Sequence, residues 1–156
     1  MTKKAAKKIT QKRVVDPTYA KSDEYQQVLS AIASEGKCPF CLQNFKYHKN
    51  DILKKEAGWL ITKSSWPYEN TKHHFLIINQ THKEKFCELT LADFQAVMIL
   101  INWAIKKYEI KGGGLTFRFG QTKFTGATVC HLHFHLIVPE INPETNRAKT
   151  VSFPIG

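Results

Sequence analysis

The chain has 156 residues, 42% hydrophobic and 12% aromatic, with a formal net charge of +10. That is one ordinary domain with enough apolar residues for a core, too apolar for a wholly disordered chain. The longest apolar run, Ala96 to Ile101, is far short of a membrane span, the opening MTKKAAKKITQKR does not read as a secretory signal, and four scattered cysteines make a poor disulfide scaffold. A cytoplasmic protein is the expectation.

Residues 1–16 read as a basic, disordered tail. Lys3, Lys4, Lys7, Lys8, Lys12 and Arg13 all precede the first acid, Asp16, and blocks of like charge are usually solvated. A weak tether to a polyanion such as nucleic acid is the rival reading. A transit peptide fits less well, since these favour Arg and Ser. The remainder still carries +4, which suits an anionic substrate. The domain proper is then 17–139, with an extension over 140–156.

Ser22, followed by Asp23 and Glu24, starts a helix that runs through YQQVLSAIASE to a stop at Gly36. After CPFC and a polar loop containing His48, strand patterns cover Ile52–Lys55, Trp59–Ser64 and His74–Asn79, with a turn at Gly58. Thr90 and Asp93 make a capping-box-like start to a helix over 90–110. Its stripe of Phe94, Val97, Met98, Ile101, Ile105 and Tyr108 suits packing on a sheet, and Gly112-Gly113-Gly114 ends it. Leu115–Phe119 and Leu132–Val138 complete the strands. The pattern predicts an α+β fold: a mainly antiparallel sheet of about five strands, one long helix packed on it and a short N-terminal helix.

The stretch His131-Leu132-His133-Phe134-His135 alternates as a strand does. Leu132, Phe134 and Leu136 then point into the core, and the three histidines form a row on an exposed face. Such a row offers a nucleophile, phosphate-binding donors and metal ligands. Cys38 and Cys41 form a C-x-x-C knuckle whose thiolates suit two corners of a tetrahedral zinc site. A redox pair or two metal-free thiols are the rival readings. His73 and His74 read as sheet-surface residues, Ile61, Phe75 and Ile77 as core, and Cys87 and Cys130 as buried small hydrophobes.

The triad, together with CPFC, HHFLIINQTH and Gly126-Ala127-Thr128, resembles the histidine triad family of nucleotide hydrolases and transferases over roughly residues 36–139. The resemblance implies a homodimer that binds a nucleoside phosphate and forms a transient nucleotidyl-histidine. It assigns His133 as nucleophile and His135 as donor to the phosphate or leaving group. Gly126, Thr128 and Gln121 fall near the phosphate, with Gln121 standing where the family often has Asn and Arg118 a weaker candidate. Glu140 stands where an Arg is common. The zinc-bearing branch implies a structural zinc on Cys38, Cys41, His82 and His131. The implied reaction cuts a dinucleoside polyphosphate or a nucleoside phosphoramidate. A non-catalytic, zinc-stabilised nucleotide-binding module and a small nucleic-acid-binding protein are the alternatives. The segment after Pro139 is turn-rich and is read as a cap on a partner subunit's site.

Overall fold

The computed structural model describes residues 13–156. Five strands form one antiparallel sheet in the order β1-β2-β3-β5-β4: β1 (Ile52–Glu56), β2 (Trp59–Lys63), β3 (Thr71–Asn79), β4 (Gly114–Phe117) and β5 (His133–Pro139). Helix α1 (Asp23–Glu35) precedes the sheet, and α2 (Leu91–Lys107) lies between β3 and β4. A four-residue α3 (Thr122–Thr125) and a small hairpin of β6 (Ile141–Asn142) and β7 (Arg147–Ala148) complete the elements. The α+β architecture is as the sequence predicts. No helix among the described residues is long and apolar enough to cross a membrane.

Alternation along the strands sends side chains into two separate layers. On one face Trp59, Ile61, Phe75, Ile77, Phe134 and Leu136 pack against Ala96, Val97, Leu100 and Ala104 of α2. On the other, Leu60, Leu76 and Ile78 meet Leu29 and Ile32 of α1, Phe40, and Val14 and Val15. Ser22 caps α1 by accepting the Tyr25 N–H, and Gly36, at φ +66°, closes it.

Four expectations need correction. The domain begins before residue 17: Val14, Val15 and Asp16 are buried, Val15 bridges to Val129, and Asp16 accepts from Thr122 Oγ1 at 2.7 Å. The five tail lysines lie outside the described residues. The phase of α2 also differs. Val97 is buried and Ile101 and Tyr108 pack partly against the core, but Phe94, Met98 and Ile105 are exposed. The buried arc is Ala96, Val97, Leu100 and Ala104 instead, two of them small residues. The helix also ends earlier, at Lys107, because Glu109 turns into the left-handed region at φ +50°; the glycine triplet instead leads into β4. Cys87 is exposed and Cys130 half-buried, so neither is a core residue.

The segment after Pro139 folds back on its own chain. Asn70 Nδ2 donates to the Thr150 carbonyl at 3.0 Å, and Arg118 donates to the Pro154 carbonyl. Gly126, at φ +66°, allows the close approach of Gly156, since a Cβ there would lie 2.9 Å from the Gly156 carbonyl oxygen.

Candidate active site and metal centre

Strand β5 is the central element of the site. Phe134 and Leu136 face the α2 layer while His133 and His135 face the other side, as the alternation requires. That side is not exposed, contrary to expectation. His131, His133 and His135 are all buried, because α1, the segment around Phe40 and the returning residues 150–156 close over the sheet. The half-enclosed cavity is about 610 Å³, and its lining includes Lys21, Tyr25, Trp66, Tyr68, His74, Arg118, Gly126, Thr128, His133 and His135.

Hydrogen bonds fix which nitrogen of each imidazole carries the proton. His133 Nδ1–H donates to the His131 carbonyl at 2.7 Å, which leaves the lone pair on Nε2. His74 Nδ1 accepts the Tyr68 N–H at 3.2 Å, so its proton sits on Nε2 and is donated to His135 Nδ1 at 2.9 Å. His135 therefore carries its own proton on Nε2, and that atom is buried without a protein partner. Burial holds His133 and His74 down at about 4 and His135 well below the ordinary imidazole value. All three are neutral at physiological pH. One lone pair and one N–H donor thus stand side by side, ring centroids 4.8 Å apart.

Thr128 and Gly126 line this cavity, the Thr128 hydroxyl bonding to Tyr25 Oη at 2.8 Å. Gln121 does not: it is an exposed residue preceding α3. Arg118 does line it. Glu140 pairs with Lys149 at 2.8 Å. Ile61, Phe75 and Ile77 lie in the α2 layer, as expected, and Leu76 lines the cavity instead. His74 is buried rather than a sheet-surface residue, whereas His73 packs beside Phe75 and Tyr108. His48 stacks on Phe45 with ring centroids 3.9 Å apart and also lines the cavity. Tyr68 and Lys21 carried no signal in the linear sequence. Their place depends on how Pro67–Lys72 and the chain before α1 pass the end of β5.

Beside the triad, Cys38, Cys41, His82 and His131 bring their ligand atoms within 4.8 Å of one another. Cys38 Sγ lies 3.4 Å from His131 Nδ1, and Cys41 Sγ lies 3.5 Å from His82 Nδ1. Zinc with tetrahedral bonds of about 2.3 Å to sulfur and 2.0 Å to nitrogen separates such ligands by about 3.5 Å. The outer contacts also fit. His131 Nε2–H donates to the Asn79 carbonyl and His82 Nε2–H to Glu84, both at 2.7 Å, so each Nδ1 faces the cluster with a lone pair. Burial pushes the Cys38 thiol up to about 12, a penalty that a bound divalent cation offsets by coordinating the thiolate.

Residues 67–141 match the family model of the HIT domain. Similar solved structures include a histidine triad nucleotide-binding protein from Candida albicans, 19% identical with a TM-score of 0.57, covering 77% of this chain and 85% of that one. A HIT family hydrolase from Clostridium thermocellum is 24% identical with a TM-score of 0.51, covering 69% and 93%. A Zn-bound histidine triad family protein from Mycobacterium smegmatis is 20% identical with a TM-score of 0.50, covering 71% and 80%. No curated protein matches the chain. At these identities the structures speak for the fold alone. That fold and the independent match agree over residues 67–141, the part of the chain that is similar to the HIT domain of the histidine triad family.

Proposed function

We propose that this protein is a nucleotide hydrolase or nucleotidyl transferase that attacks an α-phosphorus. One observation carries the reading: the hydrogen-bond pattern leaves a lone pair on His133 Nε2 and a proton on His135 Nε2 within one cavity. His133 Nε2 forms a bond to phosphorus as the bond to the leaving group breaks, and His135 Nε2–H hydrogen-bonds the departing atom and stabilises its growing charge, that atom taking its proton from solvent. Water or phosphate then attacks the nucleotidyl-histidine, loses its proton to solvent and releases His133. Thr128 and the backbone at Gly126 flank the phosphate.

Cys38, Cys41, His82 and His131 would hold zinc, which with four protein ligands supports the fold and leaves no position for a reacting water. His131, committed to the metal, is then excluded as a nucleophile. The protein acts as a homodimer on this reading. Support comes from Leu91 and Met98 on the outer arc of α2 and Leu115 on edge strand β4, all exposed apolar residues.

The test is incubation with a diadenosine polyphosphate or an adenosine phosphoramidate, with and without added phosphate, followed by product analysis. Turnover in wild type, lost by more than about 10³-fold in His133→Asn, with an acid-labile adduct on His133 alone, is the expected result. Near-normal turnover in His133→Asn overturns the mechanism. Nucleotide binding without turnover favours the non-catalytic alternative.

A further inference from the structure

Two cations meet on one tyrosine at the edge of the histidine cavity. Lys21 Nζ lies 3.6 Å from the centroid of the Tyr68 ring, and the two terminal nitrogens of Arg118 lie 3.4 Å from the Tyr68 hydroxyl. Tyr68 in turn stacks on His74 and His135, with centroids 4.7 and 5.8 Å away. Both cations line the cavity, and both act electrostatically on His135.

Neither has a carboxylate in ion-pair contact among the described residues. Glu69 attracts Lys21 only from a distance, and Arg118 repels it. The neighbouring imidazoles are neutral and compensate nothing. Two like charges lie on one half-enclosed cavity, Lys21 exposed and Arg118 half-buried, and Glu69 is the one acidic side chain on the lining, out of ion-pair contact with either; that excess of positive charge favours an anion.

Arg118 is also braced. Its Nε donates to the Pro154 carbonyl at 3.0 Å, and its guanidinium lies 3.9 Å over the Phe153 ring. Phe153 itself packs edge-on against His135, at 5.2 Å. The returning segment therefore fixes one edge of the guanidinium fork. The Pro154 carbonyl and the longer contacts to the Tyr68 hydroxyl engage four of the five N–H donors, which leaves one on Nη1 for a phosphate, and a pre-positioned fork loses little freedom on binding.

The amount of charge decides the substrate class. A single α-phosphate bears about one negative charge in a diester-like linkage, and the triad already addresses that group. A phosphoramidate amine leaving group adds no anion, whereas a polyphosphate leaving group adds at least one more phosphate on the side that His135 Nε2–H faces.

We propose that Lys21 and Arg118 form a cationic clamp that reads the leaving group, and that the preferred substrate carries a polyphosphate chain rather than an amine beyond its α-phosphorus. The proposal rests on the nucleotidyl-transfer reading above. The first measurement compares kcat/KM for diadenosine tetraphosphate with that for an adenosine tryptamine phosphoramidate, in wild type, Arg118→Gln and Lys21→Met. Wild type should prefer the polyphosphate, and that preference ratio should fall by about 10- to 100-fold in each variant, the worth of one charge-assisted hydrogen bond. Equal losses on both substrates, or a wild-type preference for the phosphoramidate, overturn the clamp.

The second measurement needs no turnover. In the His133→Asn protein, ATP should bind at least about tenfold more tightly than AMP, and adding Arg118→Gln or Lys21→Met should erase that difference. Equal affinity for AMP and ATP overturns the clamp even if both substrates are cleaved. Retained discrimination with no wild-type turnover instead sinks the catalytic reading and leaves the clamp standing.

Discussion

Which nitrogen of His135 carries its proton is decided one residue further along the hydrogen-bond chain, at the peptide N–H of Tyr68. That N–H occupies Nδ1 of His74, so His74 Nε2 donates to His135 and turns the proton of His135 toward the cavity. His74 is a positioning residue on this argument. His74→Leu should slow cleavage by about 10²-fold when charge builds up on a poor leaving atom, and much less when that atom leaves readily as an anion. His74→Gln, whose amide can still donate, should recover part of the loss. Rates plotted against leaving-group pKa check this; an unchanged slope in His74→Leu would mean that the ring is only packing. His131, His133 and His135 were legible as chemistry from their alternation, and His82 from the resemblance. His74 was not, because its partner His135 is 61 residues away and only the pairing of β3 with β5 joins them.

Helix α2 begins at an electrostatic junction. Asp93 closes the capping box with Thr90 and also accepts from Trp59 Nε1 at 2.9 Å, Asn79 Nδ2 at 3.2 Å and Lys83 Nζ at 2.9 Å. Burial opposes its ionisation, but the hydrogen bonds from Lys83, Thr90 and Trp59 outweigh it and hold the carboxyl far below the usual carboxylate range. A depressed folded-state pKa contributes stability above the unfolded value, near 4, and loses it as pH falls toward the folded one. Asp93→Asn should therefore cost about 2 kcal/mol near neutrality, and the two proteins' denaturation midpoints should converge in acid. A gap independent of pH would place the effect in packing instead. The cap was readable from Thr90 and Asp93, since capping is local. The buried face was not, because apolar residues run nearly all round α2 and periodicity then carries no phase.

At the scale of the molecule, the Cys and His cluster ties together three distant segments: the loop after α1, the turn after β3 and the approach to β5. A metal there closes long loops and lies within the α1-side layer, to which Cys38 and Cys41 belong. Elemental analysis of untreated protein should find one zinc per chain. Cys41→Ser should lower the thermal midpoint more than it alters turnover per folded molecule. Zinc-free protein of unchanged thermal stability would refute this. The architecture was legible because hydrophobic alternation and turn signals mark each strand. The return of residues 150–156 to their own cavity was not, because contacts such as that of Arg118 with Pro154 obey no local rule.

Strand β5 serves two masters by parity. Even-numbered Phe134 and Leu136 fill the α2 layer, and odd-numbered His133 and His135 form the site. Displacing the strand by one residue would exchange the two sets, putting imidazoles into the apolar layer and a phenylalanine at the reacting atoms. Evolution can thus explore this strand by replacing residues one at a time, but not by inserting or deleting a single one within it. Length changes are confined to the loops on either side, which is where variants of differing specificity should accumulate.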